Sequence, residues 1–170
     1  MIKKLGLAAL AAMWFAAPAN AAEKLHVETS KTCAFDIKLR PDLAPKHVAQ
    51  ITKLAAAGFY DGIVFHRVID GFMAQTGDPT GTGMGGSEEP NIEAEFTSEP
   101  YVRGVAGMAR SQDPNSANSQ FFIMFTEYPS LNGQYTVWGQ VDEAGMACVD
   151  KIAKGEPPAN PDKMLKVTVQ

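Results

Sequence analysis

Short runs rich in β-branched and aromatic residues recur along the chain, and turn-forming residues separate them. Between residues 24 and 169 there are eight such runs: KLHVET, TCAFDIKL, IVFHRVI, FMAQTG, GVAGMA, SQFFIMF, YTVWGQV and LKVTV. Runs of this length and composition, divided by turns, are typical of strands. The pattern therefore predicts a mainly antiparallel β domain.

Two segments have helical rather than strand periodicity. The first begins at Pro45, a residue suited to the first helical position, and ends at Gly58. The second has Asp142 as its N-cap and ends at Gly155. Their apolar stripes consist of Val48, Ile51 and Leu54 in the first, and Met146, Val149 and Ile152 in the second. We therefore expect a closed or nearly closed sheet covered by two helices.

The N-terminus has the pattern of an export signal. Lys3 and Lys4 are followed by an apolar stretch from Leu5 to Ala17, and the small-x-small sequence Ala19–Asn20–Ala21 follows Pro18. The apolar stretch is shorter than the ~20 residues that a membrane-spanning helix needs. We predict a signal peptide over residues 1–21 and a mature domain over residues 22–170, with no membrane insertion after cleavage. The alternative is a buried N-terminal helix.

The charge balance of the mature chain narrows the choice of partners. Residues 22–170 have 13 basic and 19 acidic side chains, a formal net charge of −6. Such a balance disfavours nucleic acid or an anionic membrane surface as the main partner. The length suits one domain with its own core.

Only two cysteines, Cys33 and Cys148, are present. An oxidising compartment permits a disulfide between them. Both also lie in apolar settings, one in a predicted strand and one in a predicted helix, where buried free thiols are common. Both interpretations stay open on the sequence.

The segment GTGMGG, residues 81–86, matches the glycine pattern G-x-G-x-x-G of dinucleotide-binding proteins. A true fingerprint ends a strand and opens a helix whose N-terminus faces the phosphates. Here Pro90 interrupts a following segment that is already poor in helix signals. We therefore interpret the glycines as the bends of a surface loop.

The motifs of metal-dependent enzymes and serine hydrolases are absent or incomplete in this sequence. The three histidines have no metal-ligand spacing, and no C-x-x-C, H-E-x-x-H or G-x-S-x-G motif occurs, so we expect no metal site. A serine hydrolase would need Ser119 or Ser111 paired with His66, and nothing in their spacing favours it.

One arginine lies within an apolar strand, IVFHRVI. Alternation puts Arg67 on the face opposite His66, and Gln75 has the same parity as Arg67. In SQFFIMF, Gln120 and Phe122 share a face while Phe121 takes the other. Since both faces carry large apolar groups, one faces the core and the other is a candidate site. Alternatively, the arginine lies over an apolar surface with its head in water.

Two strings then identify a family likeness. FHRVIDGFMAQTGDPTGTGMGG and GMARSQDPNSANSQFFIMF closely resemble the cyclophilins, peptidyl-prolyl cis-trans isomerases, in particular their bacterial exported branch. The likeness extends over essentially the whole mature chain. It implies a closed eight-stranded antiparallel β-barrel capped by two α-helices, and an enzyme that needs no cofactor.

The resemblance also implies roles for individual residues. Arg67 matches the catalytic arginine. The wall of the proline pocket is matched by Phe72, Met73, Phe122 and Leu131, and the groove for the preceding residues by Ala109, Arg110 and Gln120. Further substrate-binding positions are Gln75, His66 at the edge of the site, and Tyr135, which replaces a histidine of eukaryotic members. Ser130 stands where those members have a tryptophan, so we expect weak cyclosporin binding.

The expected function is rotation about Xaa-Pro bonds in unfolded exported proteins, assisting their folding. The expected partners are proline-containing peptides, and the chain is expected to act as a monomer. The expected location is the periplasm, or the medium if the organism has a single membrane. The alternative is a non-catalytic module or chaperone that binds proline segments on the same barrel.

Overall fold

A computed structural model of the chain describes residues 22–170, so the predicted signal peptide lies outside the described residues. The strands β1 to β8 are Lys24–Thr29, Ala34–Leu39, Arg67–Ile69, Met73–Thr76, Val105–Met108, Phe121–Met124, Val137–Val141 and Met164–Val169. The helices α1 and α2 are Pro45–Ala56 and Glu143–Val149, and a 3-10 turn covers Pro129–Leu131. Each predicted run therefore contains one strand, to within one residue.

The eight strands form one antiparallel sheet, but the sheet is open. Its order is β3-β4-β6-β5-β7-β2-β1-β8, so β3 and β8 are edges rather than partners. Isolated bridges, Val64 to Lys163 and Val68 to Gly155, span the gap between them. The expectation of a closed barrel is therefore wrong. The three-residue β3 pairs on its outer side with the loop around Gly155, which leaves no ladder to β8.

Both helices occur where the periodicity predicts them, with one difference in length. Helix α1 begins at Pro45, and Gly58 beyond its end has a φ of +73°. Helix α2 is capped by Asp142, whose Oδ1 accepts from the Gly145 amide at 2.7 Å, but it ends at Val149 and not near Gly155. After the helix the chain turns, and Gly155 exchanges backbone hydrogen bonds with Val68 of β3 instead of continuing the helix. Among residues 22–170, no helix has the length and apolarity to cross a membrane.

The sheet has an apolar cluster on each face, as the alternation predicts. The main core contains Phe121, Ile123 and Phe125 with both helices, and Trp138 packs edge-on against Phe121 at 5.2 Å between ring centroids. A second cluster contains the alternate residues of β6 with the central strands and nearby loops: Met73, Tyr101, Val105, Phe122, Met124 and Val137. The second cluster forms the base of the candidate site.

The two cysteines form a disulfide. The Cys33 and Cys148 sulfurs are bonded, with a Cα–Cα distance of 5.8 Å, within the range that disulfides usually span. The bridge ties α2 to the segment between β1 and β2. Of the two interpretations left open by the sequence, the structure has the disulfide and not two buried free thiols.

Candidate active site

Arg67 and Gln75 are neighbours across the β3–β4 pair. They stand directly opposite each other in the antiparallel register, and both are half-buried. Their neighbours Val68 and Ala74 point into the main core and are buried. The strand alternation therefore places Arg67 and Gln75 together on the face of the second cluster, as predicted.

Nine of the eleven predicted site residues surround one cavity of about 300 Å³. They are Arg67, Phe72, Met73, Gln75, Ala109, Arg110, Phe122, Leu131 and Tyr135. Strands β3, β4 and β6 supply four of them, and the loops before and after β6 supply most of the others. The cavity combines an apolar interior with two guanidinium groups, those of Arg67 and Arg110.

Aromatic contacts hold the walls of this cavity. Phe122 is 5% exposed, and Tyr101 stacks beneath it at 5.8 Å between ring centroids. Tyr135 meets Phe122 edge-on at 5.7 Å. The Arg110 guanidinium lies over the Tyr135 ring at 4.6 Å and donates to the Gln134 carbonyl oxygen. Arg110 thereby fixes Tyr135 as a wall of the cavity.

A chain of side-chain hydrogen bonds crosses the polar edge of the cavity. Arg67 Nη1 donates to Gln75 Oε1 at 3.4 Å, and Gln75 Nε2 donates to Gln120 Oε1 at 2.9 Å. Gln120 Nε2 in turn donates to the carbonyl oxygens of Gly83 and Gly85 at 3.0 and 2.8 Å. The arginine is thus connected to the glycine-rich loop through two glutamines.

A second cavity of about 510 Å³, lined mainly by polar residues and glycines, adjoins the first. It shares Gln75, Ala109 and Arg110 with the first cavity and also includes Gln120. Its other lining residues are not among the substrate-binding positions predicted from the sequence: Gly83, Met84, Gly85, Gly86, Ser87, Asn91, Ser111, Ser116 and Asn118. Several of them lie in or near the sequence NSANSQ, which ends at Gln120. Proximity to Gln120 along the chain is the signal that could have identified them as site residues. Because they share Gln75, Ala109 and Arg110, the two cavities together form one continuous groove.

The glycine-rich loop folds around a carboxylate of its own chain. Asp78 is 1% exposed and accepts from the Gly83 amide at 2.6 Å, the Gly85 amide at 3.1 Å, and the Thr80 amide and hydroxyl at 2.8 Å. A side chain at Gly85 would collide with Asp78 and Thr80. Within the described chain, no helix follows GTGMGG before β5, so the loop offers no helix N-terminus to a phosphate.

These hydrogen bonds favour the ionised form of Asp78. Burial raises the pKa of its carboxyl, but the bonds from Thr80, Gly85 and Gly83 outweigh burial and lower the pKa to about 2. Since the folded pKa lies below the ordinary value, the carboxylate stabilises the fold above about pH 4. That contribution is lost as the pH falls towards 2 and below.

We therefore expect Asp78→Asn to lower the free energy of unfolding by about 2 kcal/mol at pH 7. Urea unfolding at pH 7, 4, 3 and 2.5 should show the difference from the parent shrinking as the pH falls, because the parent carboxylate becomes protonated. Asp113→Asn, in an exposed loop, serves as the control. A difference that stays constant with pH would contradict the assignment.

His66 and the two serines do not form a catalytic pair. His66 is 6% exposed, lies beneath Gly83, and lines neither cavity of the site. Burial lowers the pKa of its ring, with Asp78 opposing this and Arg67 adding to it. The Ser119 hydroxyl donates to the Gly77 carbonyl oxygen and that of Ser111 to Ser116. The serine-hydrolase alternative is therefore wrong.

Fold and site together define a class: an antiparallel half-barrel whose open groove contains an apolar cavity lined also by the guanidinium groups of Arg67 and Arg110. Residues 24–169 match the family described as "Cyclophilin type peptidyl-prolyl cis-trans isomerase/CLD". A "Probable peptidyl-prolyl cis-trans isomerase" of Brucella suis is 57% identical, covering 79% of this chain and 76% of the relative. The mouse "Peptidyl-prolyl cis-trans isomerase-like 3" is 42% identical, covering 74% and 81%.

Solved structures are similar to this chain in the same way as these relatives. A cyclophilin from Hirschia baltica superposes with a TM-score of 0.78 at 30% identity, covering 86% of this chain and 73% of that chain. A Cryptosporidium parvum cyclophilin-type isomerase, crystallised in the presence of the dipeptide Ala-Pro, gives 0.78 at 29% identity, covering 86% and 98%. The chain belongs to the cyclophilin-type peptidyl-prolyl cis-trans isomerase family. It is an isomerase, and the alternative of a non-catalytic module is not retained.

Proposed function

We propose that this isomerase acts on unfolded exported proteins in the periplasm, with Arg67 as its catalytic residue. The observation that carries the proposal is the Arg67 guanidinium at the edge of the cavity that Phe72, Met73, Phe122 and Leu131 enclose. An apolar cavity of this size suits a proline ring, and the guanidinium lies beside the bond that would turn.

The reaction makes no covalent bond, so the site has to lower a rotational barrier. An Xaa-Pro bond crosses a barrier of about 20 kcal/mol because amide resonance is lost on twisting. In the twisted state the proline nitrogen regains its lone pair and becomes a better hydrogen-bond acceptor. Arg67, always protonated, can donate to that nitrogen or hold the neighbouring carbonyl. The apolar walls fix the ring while the preceding residue turns.

The second cavity suits the residues before the proline. Its lining consists mainly of glycine, serine, asparagine and glutamine residues, which offer backbone and small polar groups, with Met84 and Arg110 as the larger side chains. Such a surface accepts an extended chain with few demands on its sequence, as a catalyst for many unfolded proteins requires. Ser130, on the exposed 3-10 turn, adds no aromatic wall to the site, which supports the expected weakness of cyclosporin binding.

The signal-like N-terminus and the disulfide support the periplasmic location. A disulfide persists in oxidising compartments and is rare in the reducing cytosol. The acidic mature chain suits a protein that stays in solution rather than on an anionic surface. If the organism has a single membrane, the same signal implies secretion.

Export is tested by expressing the full-length chain in a Gram-negative host and measuring the intact mass in each cell fraction. We expect the periplasmic fraction to contain a chain that begins at Ala22 and has lost two protons to the disulfide. The control variant, with Ala19→Lys and Ala21→Lys, should keep residues 1–21 because the cleavage site needs small residues. A parent chain that retains Met1 and stays in the cytoplasm would refute the proposed location.

A further inference from the structure

Glu156 contacts Arg67 from outside the groove. Arg67 Nε donates to Glu156 Oε1 at 2.7 Å, and the two side chains are 42% and 53% exposed. Glu156 lines neither of the two site cavities. Its carboxylate therefore meets the guanidinium on an edge other than the one facing the cavity.

The backbone brings Glu156 to this position. Val68 and Gly155, the chain neighbours of Arg67 and Glu156, exchange two backbone hydrogen bonds of 2.8 and 2.7 Å. The Ala153 amide, three residues before Glu156, also donates to Asp162 Oδ2 at 2.8 Å and anchors the same segment. Glu156 is thus placed by the fold and not by its ion pair alone.

Glu156 and Gln75 together leave one part of the guanidinium open. Nε is paired with Glu156, and Nη1 with Gln75 at 3.4 Å. Within residues 22–170, Nη2 donates to no protein group, so it can meet a substrate. The arginine side chain is long and flexible, but pairing at Nε and Nη1 holds its third nitrogen, Nη2, in a fixed direction. A hydrogen-bond donor stabilises a transition state best when it is held in place in this way before the reaction.

We propose that Glu156 is a positioning residue that orients Arg67 for isomerisation. The inference rests on the proposed catalytic role of Arg67. Glu156 is predicted to act on turnover and not on peptide affinity, because it does not touch the groove. Since ion pairs between exposed groups add little to stability, the melting temperature should hardly change when the carboxylate is removed.

The test compares Glu156→Ala and Glu156→Gln with the parent. We expect Glu156→Ala to lower kcat by roughly three- to tenfold with KM within about twofold. Glu156→Gln keeps an acceptor of the same reach and should retain more activity. The control is Glu143→Gln on α2, which removes a carboxylate paired with another arginine, Arg103, and should leave kcat unchanged. Rates come from NMR exchange of an uncharged Xaa-Pro peptide at several concentrations.

A second measurement observes the contact itself. The Nε–H signal of Arg67, assigned by its loss in Arg67→Lys, should shift and exchange faster with water in Glu156→Ala but not in Glu143→Gln. Normal kcat in Glu156→Ala would overturn the inference, as would a rise in kcat/KM, which would make Glu156 a competitor of the peptide. If Arg67→Ala also turns over normally, the proposed role of Arg67 fails. If Arg67→Ala loses activity and Glu156→Ala does not, the inference about Glu156 fails while the proposed role of Arg67 stands.

Discussion

Arg67→Ala is expected to lower kcat/KM for an Xaa-Pro peptide by roughly 10- to 150-fold while leaving the fold intact. The lower and upper values correspond to one charge-assisted hydrogen bond of about 1.5 and 3 kcal/mol in the twisted state. The remaining acceleration belongs to the cavity of Phe72, Met73, Phe122 and Leu131, which the substitution leaves in place. Because the Arg67 side chain is 42% exposed, its removal opens no hole in the main core.

The measurement is cis/trans exchange by NMR on the chain from Ala22, which needs no coupling protease. Arg40→Ala removes another arginine, one paired with Asp42 and Glu99 away from the groove, and should exchange peptide at the parent rate. A rate for Arg67→Ala equal to that of Arg40→Ala would remove Arg67 from the mechanism.

The variant Arg67→Lys tests whether catalysis needs only the positive charge of Arg67 or also the planar shape of its guanidinium. Lysine keeps a positive charge but lacks the planar guanidinium, which here pairs with Glu156 and Gln75 at two different nitrogens. If charge alone lowered the barrier, lysine would restore most of the rate. We expect instead a variant much closer to alanine than to the parent, since an ammonium group cannot contact both partners and the substrate in the same geometry.

The two faces of the sheet and most of the site residues could be predicted from the sequence, because strand alternation is a local property. The period of two put Arg67 and Gln75 on one face and Val68 on the other, and the structure has them there. The same period in SQFFIMF separated Phe121 from Phe122, and with it the core from the floor of the cavity. The resemblance added Leu131 and Tyr135, which loops bring to the cavity from outside those strands.

The features that the sequence missed depend on contacts between distant segments. Gly155 pairs with Val68, and this one contact occupies the outer side of β3 and brings Glu156 to Arg67. No local pattern links residues that lie almost ninety positions apart. Likewise, no periodicity could decide between a disulfide and two thiols, because the outcome depends on how α2 docks beside Cys33.

Loss of the disulfide is expected to lower the free energy of unfolding by about 4–5 kcal/mol. Cys33 and Cys148 are 115 positions apart, so the bridge closes most of the mature chain into a loop and removes many conformations from the unfolded state. Urea unfolding of the parent with and without reductant, next to Cys33→Ala/Cys148→Ala, measures the effect. The reduced parent and the double variant should agree within about 1 kcal/mol, since only small side-chain changes separate them.

Loss of the disulfide should affect the isomerase activity much less than it affects stability. Cys33 and Cys148 line neither site cavity, so kcat/KM at 25 °C should stay near the parent value for as long as the variant is folded. A double variant as stable as the parent would contradict the stabilising role of the bridge. A stable variant with low activity would instead indicate that α2 transmits its position to Glu156 through the segment that follows it. If both expectations hold, the bridge contributes stability alone, and its benefit exists only where the compartment keeps the two thiols oxidised.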